Sequence, residues 1–311
     1  MGKLNPKAVE AIVRSALSQC LSEIYIESNS SAKTLFSSRE AEIVKQEIIK
    51  VGKKLWMREY VDGNGGNISY RLSRNYVLCT PTMCSKADLT SADISLVDLD
   101  NNRIMGSRNH TSEILLHLEI YKAVPKARAV IHCHPPHATA YAITGLVPPG
   151  EIIPEQEVFI GPVATAPYET PGTKSFAETV LPFIRSHNTV LLENHGIVCW
   201  ADSVTHAEWC VEVLDTYCRT LILAAQLGKP IRRIPPDKIA GLLAIKQRLG
   251  LPDARLNIQE QDGVPSDTVT KEEHPILAQK RAPKQRRGES FERLVTNITN
   301  EVIRFASPRK K

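Results

Sequence analysis

Apolar residues recur at steps of three and four from Pro6 to Glu27, where Val9, Ile12, Val13, Ala16, Leu17, Cys20, Leu21 and Ile24 fall on one face of a helix. A polar stretch, Ser28–Lys33, follows and reads as a spacer. A second helical pattern covers Glu40–Tyr60. Beyond it, short apolar runs of strand length such as Ala127–His132 and Thr189–Leu192 alternate with helical periods, which is the signature of an α/β domain. The pattern fades in Gln259–Gly288, a polar segment with Pro265, Pro275 and Pro283 and no hydrophobic period, as expected of a linker. It returns in Ser290–Ala306, where Phe291, Leu294, Val295, Ile298, Val302 and Phe305 share a face behind the N-cap residue Ser290. The expected organisation is therefore an N-terminal amphipathic helix and spacer (1–36), an α/β body (37–258), a linker (259–289) and a C-terminal amphipathic helix (290–311).

No apolar run approaches the roughly 20 residues that span a bilayer, and Met1–Ile26 lacks the continuous apolar core of a secretory signal, so a cytoplasmic protein without a membrane partner is expected. Seven cysteines, an odd number with no Cys-x-x-Cys pair, read as reduced thiols rather than a disulfide framework or a zinc knuckle. The net charge of +5 changes meaning once it is located: Lys280–Lys311 carries ten Lys/Arg against three Asp/Glu, which leaves the rest of the 311-residue chain at −2. The body is not basic, and no nucleic-acid partner is expected.

The chemistry concentrates in a few short segments. In Ala129–His137 (AVIHCHPPH) a buried-strand pattern carries His132 and His134 two positions apart, so both imidazoles leave the strand on one side. That geometry suits zinc, but His-x-His also arises by chance and in satisfied cores, and it needs a third ligand. Val190–Leu192 is an apolar strand that ends at His195 beside Gly196. Thr111-Ser112-Glu113 precedes a helical pattern, where a carboxylate is ordinarily capping chemistry. Gly63–Ser69 (GNGGNIS) is a glycine-dense turn whose N–H groups can form an anion nest, although such clusters more often mark plain tight turns.

Taken in order, GNGGNIS (63–69), TPT (80–82), TSE (111–113), HCHPPHATA (132–140), APYETPGT (166–173) and LLENHG (191–196) resemble the class II aldolase/adducin-head family over about Glu40–Leu256. The resemblance implies a three-layer αβα fold with a central mixed sheet and a homotetramer with active sites at subunit interfaces. It also implies zinc held by His132, His134 and His195, Glu113 as the catalytic acid/base, and a phosphate site at Asn67, Thr82, Thr111 and Ser112. The implied activity is retro-aldol cleavage of L-fuculose 1-phosphate, or L-rhamnulose 1-phosphate, to dihydroxyacetone phosphate and L-lactaldehyde. Metal would polarise the ketose carbonyl while Glu113 moved the proton at the neighbouring carbon.

Two departures from the family pattern bear on that activity. Met83 stands where fuculose-phosphate aldolases place a glycine after TPT, and the regions aligned with their acid/base tyrosines offer Glu155 and Glu157 near Ile153, and Leu249, leaving Tyr168 as the nearest tyrosine. A zinc-dependent dehydratase, decarboxylase or epimerase on a sugar phosphate is the alternative enzyme; pentulose-phosphate epimerases of the family carry aspartate at the position of Glu113. A non-catalytic scaffold or cargo protein is the alternative outside catalysis, against which stand the three histidines that adducin-type heads lack. The terminal helices resemble encapsulation peptides of bacterial microcompartments, so shell proteins are a further expected partner, the competing reading being helices that dock on their own chain.

Overall fold

The computed structural model describes residues 6–256 together with Arg293, Thr296, Thr299 and Asn300. The expected linker, and all of the expected C-terminal helix except those four helical residues, lie outside the described residues. Two compact units are present, and the first helix as far as Ser31 belongs to a different one from residues 32–256.

That first helix, α1 (Pro6–Phe36), corrects the expected spacer. Ser28–Lys33 is polar but holds neither proline nor glycine, so nothing in it obliges the helix to stop. The chain turns only at Ser37–Ser38, where the Ser38 hydroxyl accepts from the Ala41 N–H and opens α2 (Arg39–Met57), with Glu40 and Glu42 at the positive end of the helix dipole. Along α2, Ala41, Val44, Ile48, Val51 and Leu55 are buried at helical spacing.

Eight strands follow: β1 (Asn67–Arg71), β2 (Tyr76–Cys79), β3 (Ser95–Asp98), β4 (Arg103–Met105), β5 (Ala129–Cys133), β6 (Ala164–Ala166), β7 (Thr189–Leu192) and β8 (Gly196–Ala201). Between and after them run α3 (Ile114–Ala123), α4 (Pro136–Thr144), α5 (Pro154–Phe159), α6 (Lys174–Glu178), α7 (Val204–Gln226) and α8 (Pro236–Arg248). The strands form one sheet in the order β4-β3-β2-β1-β5-β8-β7-β6. Every pairing is antiparallel except β6 with β7, which makes the sheet mixed.

The period of two sorts the strands' side chains into two cores. Ile68, Ile131, Ile197 and Cys199 pack against Ile48, Leu55, Ala138, Val211 and Leu214 of α2, α4 and α7. Val130, Val190, Val198 and Trp200 pack with Leu118, Tyr121, Phe176 and Ala177 of α3 and α6. Helices thus cover both faces, and the three-layer αβα architecture with a central mixed sheet is the one the family resemblance implies. Cys79, Cys84, Cys133, Cys199, Cys210 and Cys218 are free thiols, all buried except the half-buried Cys84. No helix among the described residues is long and apolar enough to cross a membrane.

Candidate metal centre and acid/base site

Sheet register brings the three histidines together. On β5, His132 stands opposite Asn67 of β1 and Val198 of β8. One step beyond the strand end, the His134 N–H donates to the Tyr60 carbonyl at 2.8 Å, which fixes where that residue leaves the sheet. His195 sits in the tight turn between β7 and β8, closed by its N–H on the Leu192 carbonyl at 3.0 Å and by Asn194 in the left-handed region. The imidazoles lie 4.6–5.0 Å apart between ring centres. One nitrogen from each falls within 4.8 Å of the others.

A metal fits this donor set. The Nδ1 of His132 lies 2.9 Å from the Ile197 carbonyl, so it carries the proton and leaves Nε2 as a bare lone pair facing the centre. The Nε2 atoms of His132 and His134 are 3.2 Å apart, close to the separation of about 3.3 Å that tetrahedral ligands at 2.0–2.1 Å from zinc require. Burial above all, then the neighbouring rings of His134 and His195, holds His132 far below the usual histidine range, and burial lowers His195 against the pull of Glu113. Neutral imidazole is the form that binds metal. Close backbone packing permits the convergence: a Cβ on Gly196 would meet the His134 ring at 2.8 Å and crowd the Cys133 carbonyl.

Glu113 occupies the N-cap position of α3, with its N–H 3.3 Å from the Thr111 hydroxyl. Its carboxylate lies against the histidines, Oε2 at 3.4 Å from His132 Nε2 and Oε1 at 3.6 Å from His195 Nε2. Oε2 also accepts from the Asn67 amide at 2.7 Å, whereas Oε1 is buried without a hydrogen-bond partner. One oxygen is anchored and the other is free beside the histidines. This is the placement an acid/base group needs if it is to stay near a metal without being spent on it.

The four expected phosphate residues are distributed less evenly. Asn67 is buried, with its amide engaged by Glu113 on one side and His117 on the other. Thr82 and Thr111 lie on adjacent loops joined by the Pro81–His110 bridge, by Thr82 N–H to the Asn109 carbonyl and by Thr111 N–H to the Thr80 carbonyl, both at 3.0 Å. Ser112 is exposed beside Glu113. Met83 has φ +52° and an exposed side chain, so the backbone takes here the left-handed conformation that glycine adopts at no steric cost. Of the candidates for the second acid/base group, Tyr168 and Glu155 are exposed, while Glu157 is buried and paired with Arg255 at 2.8 Å; Leu249, which carries no titratable group, is exposed.

Several residues escaped the motif reading. Lys86 is almost fully buried, with Nζ on the carbonyls of Asn64 and Cys84 at 3.0 and 2.9 Å, and burial draws its ammonium down to about 8. It ties the glycine turn to the loop after Thr82. His117, Ser69 and Tyr121 form a buried polar file behind Asn67. Their spacing carried a signal: His117 is four residues from Glu113 on one helix, and Ser69 is two from Asn67 on one strand, so each shares a side with a site residue.

Three converging histidines and an adjacent carboxylate, set on this mixed sheet between helical layers, define a class II aldolase domain. Residues 46–222 match the Class II Aldolase and Adducin N-terminal domain, and the chain belongs to that family. The chain is 36% identical over 170 residues to the L-fuculose phosphate aldolase of Methanococcus maripaludis, covering 54% of this chain and 91% of the relative. It is 29% identical over 202 residues to the 3-oxo-tetronate 4-phosphate decarboxylase of Haemophilus influenzae, covering 64% and 95%. A solved L-fuculose 1-phosphate aldolase superposes with a TM-score of 0.61 at 29% identity, over 68% of this chain and 97% of that one. Aldolases and decarboxylases are lyases, and the protein is an enzyme of that class.

Proposed function

We propose that the protein is a zinc-dependent aldolase that cleaves L-fuculose 1-phosphate or L-rhamnulose 1-phosphate to dihydroxyacetone phosphate and L-lactaldehyde. The observation that carries the reading is the free Oε1 of Glu113 beside three converging imidazoles. His132, His134 and His195 would hold the metal, and three nitrogen donors with room for a substrate oxygen are a catalytic zinc set. When bound, the metal supplies Lewis-acid polarisation of the ketose carbonyl. Breaking the C3–C4 bond leaves an electron pair on C3 and turns the C4 hydroxyl into an aldehyde, releasing its proton. Glu113 delivers one proton to C3, and the loop positions Thr82, Thr111 and Ser112, with Asn67, hold the phosphate end so that C3 lies against the carboxyl.

A second reading, decarboxylation of a 3-oxo sugar-acid phosphate, uses the same half of the chemistry. Loss of carbon dioxide also leaves an electron pair beside a carbonyl and needs one proton delivered, but no hydroxyl proton has to be removed. The decarboxylase relative favours it, as does Leu249, neither acid nor base, in one of the two regions aligned with the aldolase tyrosines, the other offering Glu155 and Glu157. The deciding experiment incubates purified protein, stripped by chelation and then restored with zinc, with L-fuculose 1-phosphate, L-rhamnulose 1-phosphate and 3-oxo-tetronate 4-phosphate. Zinc-dependent release of L-lactaldehyde from either ketose phosphate supports the aldolase; carbon dioxide release from 3-oxo-tetronate 4-phosphate, which also leaves dihydroxyacetone phosphate, with no aldol cleavage replaces it by the decarboxylase. Zinc binding without any turnover would favour the scaffold.

Assembly as a homotetramer belongs to the same proposal and is checked by native mass spectrometry. The amphipathic sequence at each end further supports delivery into a microcompartment, which would confine the reactive aldehyde product. Deleting residues 281–311 should abolish co-assembly with shell proteins; unchanged co-assembly would end that idea.

A further inference from the structure

Behind the site, four buried side chains run in file from Glu113 into the layer between β1 and α3. Asn67 Nδ2 is 2.7 Å from Glu113 Oε2, and Asn67 Oδ1 is in hydrogen-bond contact with His117 Nε2. His117 Nδ1 is 2.7 Å from the Ser69 hydroxyl, which is 2.8 Å from the Tyr121 hydroxyl. All four residues are at most 2% exposed, so water does not complete their hydrogen bonding.

The direction of every proton follows from the end at Glu113. A carboxylate only accepts, so the Asn67 NH2 faces it and Oδ1 faces His117. The Nε2 of His117 must therefore carry a proton. Burial draws the His117 ring down to about 3, so the ring is neutral with a single N–H, and Nδ1 is an acceptor. Ser69 then donates to Nδ1, and its oxygen is left to accept from Tyr121. The other acceptor near the Tyr121 hydroxyl, the Arg128 carbonyl, is farther away at 3.4 Å. Turning the Asn67 amide over would set its oxygen against Oε2, two acceptors in contact with no proton between them, which leaves buried groups unsatisfied at about 1–3 kcal/mol each.

We propose that Tyr121, Ser69, His117 and Asn67 form a one-way hydrogen-bond chain that anchors Glu113 by Oε2 and presents Oε1 as the oxygen that carries the proton, with His117 as its positioning residue. The inference rests on the reading of Glu113 as the acid/base group. It separates the two oxygens of one carboxylate by construction: one is held by an amide that cannot turn over, and the other, unpartnered, lies beside His195. It also gives Asn67 a role in aiming the proton beyond holding phosphate.

The test uses the full chain loaded with zinc. A two-bond nitrogen–proton spectrum of histidine-labelled protein should show His117 as the Nε2–H tautomer; an Nδ1–H tautomer would overturn the chain, and this measurement needs no variant. Turnover is then followed on whichever sugar or sugar-acid phosphate the wild type accepts. Ser69→Ala should lower kcat about tenfold, a part of the roughly 10²–10⁴-fold that a positioned acid/base contributes, with KM within about twofold and zinc content unchanged. Ser69→Thr, which keeps the hydroxyl, should recover most of kcat, a rescue that a packing defect alone would not give. A Ser69→Ala enzyme with wild-type kcat, measured beside an inactive Glu113→Gln, would reject the chain and spare the function of Glu113. An active Glu113→Gln would instead reject that function, and the chain's role with it.

Discussion

Three imidazole rings account for most of what this site can do, and their contributions differ. His132 is completely buried, and its Nδ1–H is committed to the Ile197 carbonyl, so its lone pair is aimed before any metal arrives. His134 is the more accessible ring, oriented by its own main-chain N–H and by Asp62 at 3.6 Å from its Nδ1. His134→Ala should therefore keep the fold while weakening zinc more than about 100-fold, beyond the usual cost of losing an outer-shell partner. Competition against a chromophoric chelator measures this, and unchanged affinity would remove His134 from the ligand set. The histidines and Glu113 were legible in the sequence because their motifs are contiguous and sit at strand ends and a helix start. Lys86 and His117 were not, since each works through partners far away in sequence, and a single Lys or His inside an apolar pattern looks like any other core residue.

Between elements, the seam of α2 and α7 holds the charges that the hydrophobic pattern gave no reason to expect. Lys54 on α2 and Arg58 at its C-cap meet Glu208 and Glu212 on α7, with Lys54 Nζ 2.7 Å from Glu208 and Arg58 Nε 2.7 Å from Glu212. Burial of Glu208, then its hydrogen bond to Glu212, outweighs Lys54 and raises the Glu208 carboxyl to about 7. Its unfolded value is near 4.5, so between those values the native state binds the extra proton and the unfolded chain does not. Stability from this group is complete below about 4.5 and declines as pH rises through about 7. Glu208→Gln should flatten the fall in Tm between pH 5 and 8 by a few degrees, on the order expected for 1 kcal/mol in a domain of this size. Melting curves of the two proteins across that range test it; parallel curves would place the titration elsewhere. The strands and the long helices were readable from periodicity alone. The continuation of α1 to Phe36 was not, because polarity was taken for a break when only proline, glycine or a cap enforces one.

For the molecule as a whole, the question is where the catalytic body ends. Lys246 of α8 is fully buried, with Nζ on the Ile160 carbonyl at 2.8 Å and on Asp253 at 2.9 Å, and Arg255 joins Asp253 to Glu157 of α5. This cluster closes the body just before residue 256. A chain ending at residue 256 should hold zinc as the full chain does and melt within about 3 °C of it. A chain ending at residue 250 leaves Lys246 buried without its carboxylate and should lose about 3–5 kcal/mol. Calorimetry of the two truncations separates them, and equal melting temperatures would show that the cluster does not latch α8 to the body.

The bare backbone at Gly196 matters beyond packing. The His134 ring presses against it from beyond the end of β5, His195 is the residue just before it in the turn, and a single methyl there has no space on the His134 side. An allele encoding Gly196→Ala would therefore be deceptive in a genetic screen. Its product would accumulate, since the far strands and α3 lie outside the disturbance, yet it would be purified without zinc and scored as a null.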